Sequence, residues 1–192
     1  MNEHNVAAGL EPQRGVSPGV SPGVSTGGSP VGDVSRSAAP WLLLSALIIA
    51  ADQLTKAYIV RHFGEFEFIS VLPILDITRM HNVGAAFSFL ASASGWQRWV
   101  FIGLAGVVSV GIIVWLLRLR DAHALLAGGL SLVLGGAVGN VLDRIRLGHV
   151  IDFIHFHWDR AYFPAFNVAD SAITVGAACL LLDALLEGQR KT

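Results

Sequence analysis

The sequence predicts an all-α membrane protein: a four-transmembrane-helix bundle with short strands lying at the membrane interface. Hydrophobic residues make up 53% of the 192-residue chain and charged residues only 14%, against about 25% charged in an ordinary soluble domain. Four apolar segments, near 41–60, 98–117, 124–142 and 168–186, each approach the roughly 20 residues that a helix needs to cross about 30 Å of hydrocarbon. Between the first two, Phe63 to Phe89 mixes aromatics, β-branched residues and single charges, with a proline at Leu72-Pro73 and a loose alternation in Glu65-Phe66-Glu67-Phe68-Ile69. That pattern predicts short interfacial strands.

Residues 1–38 read as a disordered tail ahead of a membrane domain at 39–192. They are rich in Gly, Pro, Ser and Val, and a four-residue near-repeat runs from Gly15-Val16-Ser17-Pro18 to Gly23-Val24-Ser25-Thr26. The repeat matches Gly-x-Ser-x-Gly, but a serine nucleophile elbow needs a strand before it and a helix after it, and this composition offers neither. The tail also lacks the basic start, apolar stretch and small-residue cleavage site of a secretory signal, so the first apolar run is expected to stay as a span. With 13 basic against 14 acidic residues, no global basic field exists to recruit nucleic acid. The single cysteine, Cys179, lies in an apolar run and reads as a small buried hydrophobe.

The second and third spans carry no charge from Trp99 to Leu117 or from Ala124 to Leu142, whereas the first and fourth contain carboxylates. Trp41, Tyr58, Trp96, Trp99 and Trp115 fall near span ends, as interfacial aromatic rings do. Arg144 to Phe166 is too polar to cross and reads as a partly embedded loop. Four crossings put both termini on one side, so the 61–97 and 143–167 segments share the other. That gathers Asn82, Asn140, Asp143, Arg144, Asp152, Asn167 and Asp170 near one membrane face. The Lys/Arg bias is balanced six against six between the two sides. Only Arg118 and Arg120 in the short second connection, with Arg190 and Lys191 after the last span, favour cytoplasmic termini.

Ionisable groups inside spans cost several kcal/mol unless paired or hydrated, which makes each a functional candidate. Asp52 and Lys56, spaced i, i+4, share a helix face and read first as a structural ion pair. Asp152 sits in Val150-Ile151-Asp152-Phe153-Ile154, an apolar setting that favours its neutral form. Asp170 lies near the start of the fourth span, where helix N-terminal amides favour an anion. Opposed environments suit an acid and a base, and an aspartic peptidase needs one carboxylate to take a proton from water while the other donates one to the substrate carbonyl. A bland reading stands beside this, with Asn167-Val168-Ala169-Asp170 as a helix cap and Asp152 as a solvated loop residue. Gly135 to Asn140 contains a small-xxx-small packing pattern, and Asp143-Arg144 could be an ordinary surface pair. His149, His155 and His157 have no spacing that fits a helical zinc-ligand pair, so no metal site is expected.

Taken together, five blocks resemble the lipoprotein signal peptidase (signal peptidase II) family: Asp52-Gln53-Leu54-Thr55-Lys56, Asn82-Val83-Gly84-Ala85-Ala86-Phe87, Gly135 to Arg144, Val150 to Ile154, and Phe166 to Asp170. The resemblance covers about 41–186. It implies a bacterial inner-membrane aspartic endopeptidase that works without cofactor or metal and cleaves prolipoprotein before its diacylglyceryl-modified cysteine. On that resemblance Asp152 and Asp170 become the catalytic dyad. Asn82, Gly84, Asn140, Asp143, Arg144 and Asn167 become site-lining residues, and Asp52 and Lys56 structural support. The interfacial strands become a small β-sheet cradle on the outer face. Lipid-modified prolipoprotein and membrane lipid are the implied partners, with no nucleic acid, and a monomer is expected. The rival classes are a small transporter with Asp152 and Asp170 as ion sites, for which no inverted repeat is visible, and a non-enzymatic assembly subunit, which would not need paired aspartates on one face.

Overall fold

The four apolar segments form four helices in the computed structural model: α1 (Ala39–His62), α2 (Gln97–Arg118), α3 (Ala124–Leu147) and α4 (Val168–Arg190). Each is long and apolar enough to cross a membrane. The structure describes residues 38–84, 95–119, 124–159 and 161–190. The tail expected over 1–38 therefore lies outside the described residues except for Ala38, as do Ala85-Ala86-Phe87 of the second block, Arg120 and Lys191.

Helix α3 is the centre of the bundle, packing against α4, α1 and α2. Its small residues make this possible. A Cβ on Gly135 would lie 2.8 Å from Ile48 Cβ of α1, and one on Gly136 would run into the carbonyl oxygen of Ala169 in α4. The small-xxx-small pattern thus works as close helix packing, admitting α1 on one side and α4 on the other. Ile112, Leu116, Ala127, Leu130 and Leu134 fill the α2–α3 seam. The outward faces of α1, α2 and α4 present exposed residues such as Leu54, Val107 and Leu181, as lipid-facing surfaces do.

Between α1 and α2 the chain forms β1 (Phe68–Leu72) and β2 (Leu75–Asn82), the expected short strands, which turn at Pro73. Between α3 and α4 it forms β3 (Val150–Trp158) and β4 (Ala161–Tyr162). The four strands make one antiparallel sheet in the order β1-β2-β3-β4, with Met80 opposite Asp152 and Asn82 opposite Val150. Pairing β2 with β3 requires both polar segments to lie at the same end of the bundle, in agreement with the count of crossings.

Two expectations are corrected here. Arg144 is not in a loop: α3 continues past Leu142 to Leu147 and ends where Gly148, at φ +84°, donates its amide to the Arg144 carbonyl at 3.2 Å. The polar residues of that last stretch do not stop a helix, and only the left-handed glycine does. The 150–158 segment is likewise a strand, not a partly embedded loop, and Val150 to Phe153 are all buried. Ile151 and Phe153 pack on Ile59 of α1, and β2 supplies the backbone partners that a polar run at a membrane surface otherwise takes from water.

Candidate active site

The site is assembled on a buried ionic cluster. Lys56 Nζ lies 2.8 Å from Asp52 Oδ2, the expected pair, and also 2.8 Å from Asp143 Oδ2. Gln53 Nε2 bonds both carboxylates, at 3.2 Å to Asp52 and 2.9 Å to Asp143. Removing Asp52 therefore does not leave Lys56 without a partner. Asp143, expected to line the site, belongs to this support: its Oδ2 also accepts the Ile151 amide at 3.2 Å, fixing the start of β3.

Two bonds carry the cluster's order to Asp170. Asp52 Oδ1 accepts the Ala169 amide at 3.0 Å, one of the amides at the N-terminus of α4 that has no partner within the helix. Lys56 donates to Asn140 Oδ1 at 3.1 Å, so the Asn140 amide nitrogen faces outward and donates to Asp170 Oδ1 at 2.8 Å. Lys56 cannot accept, and together with Asn167 Nδ2, which donates to the same Asn140 Oδ1 at 3.3 Å, it sets the orientation of the Asn140 amide.

Asn167 joins the two aspartates. Its Oδ1 accepts the Asp170 amide at 2.9 Å, a helix N-cap, while its Nδ2 donates to Asp152 Oδ1 at 2.7 Å and to the Ile151 carbonyl at 3.2 Å. The capping reading of Asn167 thus holds, and the same side chain tethers Asp152. Asn82 Nδ2 donates to the other Asp152 oxygen at 2.9 Å, and its Oδ1 accepts the Gly84 amide at 2.8 Å. Gly84 sits at φ +95°, a backbone conformation that favours glycine. Arg144, one turn beyond Asn140, donates to the Asn140 carbonyl at 3.3 Å and has Asp170, Asp152 and Asp143 as its carboxylate neighbours.

Asp152 is buried rather than solvated, 2% exposed. Burial pushes its carboxyl up to about 6. The Asn82 hydrogen bond works against the rise, the charge of Asp170 adds to it, and the Asn167 bond again opposes it. The histidines are elsewhere. His149 lies against His81, with the ring centroids 4.1 Å apart and the planes tilted by 31°, whereas His155 and His157 face Asp76 at 3.8 and 3.3 Å. Among the described residues no group of three could hold a metal ion.

The sequence-predicted residues thus converge from four elements: Asn82 from the end of β2, Asn140 and Arg144 from α3, Asp152 from β3, and Asn167 with Asp170 from the start of α4. Gln53 was missed, although it stands inside the first block. Its signal was a polar side chain within a span, beside a carboxylate. Phe101 of α2, whose ring lies 5.1 Å under the Arg144 guanidinium, was missed as well, and an aromatic in an apolar span gives no signal.

Residues 44–186 match the family model described as signal peptidase (SPase) II. The lipoprotein signal peptidase of Ectopseudomonas mendocina is 55% identical over 146 residues, covering 75% of this chain and 86% of that protein. Lipoprotein signal peptidases of Pseudomonas aeruginosa and Acinetobacter baylyi are 53% and 50% identical, over 79% and 78% of this chain and 91% and 84% of theirs. A bacterial membrane enzyme solved by the in meso method at 2.3 Å resolution superposes with a TM-score of 0.70 at 27% identity, covering 80% of this chain and 92% of that one. With sequence, fold and the polar cluster all pointing the same way, the chain belongs to the signal peptidase II family.

Proposed function

We propose that Asp152 and Asp170 are the catalytic dyad of an aspartic endopeptidase that removes the signal peptide of bacterial prolipoproteins by cutting before the diacylglyceryl-modified cysteine. The observation that carries the reading is the single Asn167 side chain bonded to both groups, to Asp152 through Nδ2 and to the Asp170 amide through Oδ1. Asp152, buried and near neutrality, is the acid. Asp170, in the first turn of α4 and accepting from Asn140 Nδ2 at 2.8 Å, is the base. Asp170 takes a proton from the attacking water while Asp152 protonates the carbonyl oxygen. The proton on Asp170 then passes to the leaving nitrogen as the carbon–nitrogen bond breaks, and Asp152 recovers its own. Arg144 supplies a fixed positive charge beside the developing oxyanion.

The membrane setting selects the substrate. The sheet that carries Asp152 exposes Phe68, Ile69, Val71, Leu72 and Trp158, so a peptide approaching it leaves water at a cost that an acyl anchor offsets, at about 0.8 kcal/mol per buried methylene. We place both termini in the cytoplasm and the dyad near the outer face, on the basis of Arg118 and Arg120 in the short α2–α3 connection. We also propose a monomer, because the hydrogen-bonded set of Asn82, Asn140, Asp152, Asn167 and Asp170 closes without a residue from a second copy.

The pH dependence of kcat/KM tests the dyad. A carboxyl raised to about 6 is neutral below that value and loses its proton as pH rises through it, so the acid is present on the acidic side and lost on the alkaline side. The kcat/KM for the free enzyme is expected to fall about tenfold per pH unit above that point. A flat profile from about pH 5 to about pH 8 would contradict the assignment of Asp152 as the acid.

A further inference from the structure

Helix α2 packs chiefly on α3, and one of its residues reaches the site. Phe101, half-buried in the second turn of α2, makes two contacts with a single ring. On one side, a Cβ added to Gly84 would lie 2.6 Å from its Cε2, so the backbone of the Asn82–Gly84 turn rests directly on the ring edge. On the other, the Arg144 guanidinium lies over the ring with Cζ 5.1 Å from the centroid. Among the described residues no carboxylate stands within ion-pair distance of Arg144, and its hydrogen bond is to the Asn140 carbonyl at 3.3 Å. A long cationic side chain with one weak bond has many rotamers open to it. A ring face with negative quadrupole charge removes most of them.

We infer that Phe101 is a positioning residue: it holds the Arg144 guanidinium over the dyad and braces the Asn82–Gly84 turn whose asparagine bonds Asp152. The inference rests on the dyad reading above, and it adds that the membrane-embedded α2 contributes to the geometry of the reaction and not only to the bundle. An aliphatic side chain of similar volume fills the same space but offers no π face and no flat edge, so the device depends on the ring.

The test uses the full chain in detergent micelles with lipidated prolipoprotein and compares Phe101→Leu, Phe101→Tyr, Arg144→Gln and the Phe101→Leu/Arg144→Gln double variant. Phe101→Leu is expected to lower kcat about tenfold with a smaller change in KM, and Phe101→Tyr, which keeps the ring, to stay within about twofold of wild type. The double variant is expected to lose less than the product of the two single losses, because the part of the ring's effect that runs through the arginine is already gone while the part that runs through the Asn82–Gly84 turn remains. Phe101→Leu at the wild-type rate, Phe101→Tyr as slow as Phe101→Leu, or losses that multiply in the double variant would each overturn the inference. Asp152→Asn measured alongside reports on the dyad separately, since the coupling between Phe101 and Arg144 does not depend on which groups move the proton.

Discussion

Asp152→Asn and Asp170→Asn are each expected to lower kcat/KM on lipidated prolipoprotein by about 10³-fold or more while leaving an inserted, folded protein. An amide can neither take the proton from water nor hand one to the carbonyl, so the loss falls on the chemical step. The structural cost is far smaller. At Asp152 both carboxylate oxygens accept from asparagine Nδ2 groups, of Asn82 and Asn167, and an asparagine there keeps one acceptor and turns its NH2 toward the other donor. One hydrogen bond is lost, about 1 kcal/mol, against the roughly 4 kcal/mol that a thousandfold rate loss represents. Thermal unfolding should therefore shift by only a few degrees. Turnover by either purified variant within about tenfold of wild type would sink the assignment.

Lys56→Met should be the most destabilising single change in the ionic cluster, by about 3–5 kcal/mol. It leaves Asp52 and Asp143, each nearly fully buried, facing one another without the cation that lies 2.8 Å from both. Asp52→Ala should cost less, because Lys56 keeps Asp143. It loses mainly the bond that holds the Ala169 amide. The order is the discriminating feature, since a simple two-residue ion pair would make the two variants comparable. Lys56→Met also removes the shorter of the two donor bonds to Asn140 Oδ1, leaving that of Asn167, so the rate per folded molecule is expected to fall as well. Unfolding midpoints in micelles, with the two variants side by side, read the order directly. Equal midpoints would show that Asp143 does not share the lysine.

The helices were legible because hydrocarbon thickness imposes a length and a composition on each span, and Trp99 to Leu117 satisfies both without a single charge. Asp152, Asp170 and the Asp52–Lys56 pair were legible for the complementary reason: charge in an apolar setting is costly and seldom accidental. What composition does not encode is partnership across distance. Asp143 and Arg144 are adjacent in sequence and read as one feature, yet on a helix they point about 100° apart. Asp143 turns to Lys56 and Arg144 to Phe101. The strand at Val150 to Trp158 was read as a loop because its pairing partner lies some seventy residues earlier, at Leu75 to Asn82, and no local rule links the two. Gln53 escaped notice because its role, bridging two carboxylates that meet only in the fold, exists only once α1 and α3 are packed.

The central claim, that this site hydrolyses a peptide bond presented by a lipid anchor, is tested most directly by incubating the purified chain in vesicles with two forms of one prolipoprotein. One form carries the diacylglyceryl group on its cysteine and the other is unmodified. Two buried acyl chains contribute well over about 10 kcal/mol of membrane partitioning at roughly 0.8 kcal/mol per methylene, so only the first is held where lateral diffusion brings it to Asp152 and Asp170. Mass spectrometry of the products should show a new N-terminus at the modified cysteine and a free signal peptide. The unmodified form should remain essentially uncut. Equal cleavage of the two forms, or cleavage of the lipidated form at another bond, would contradict the account.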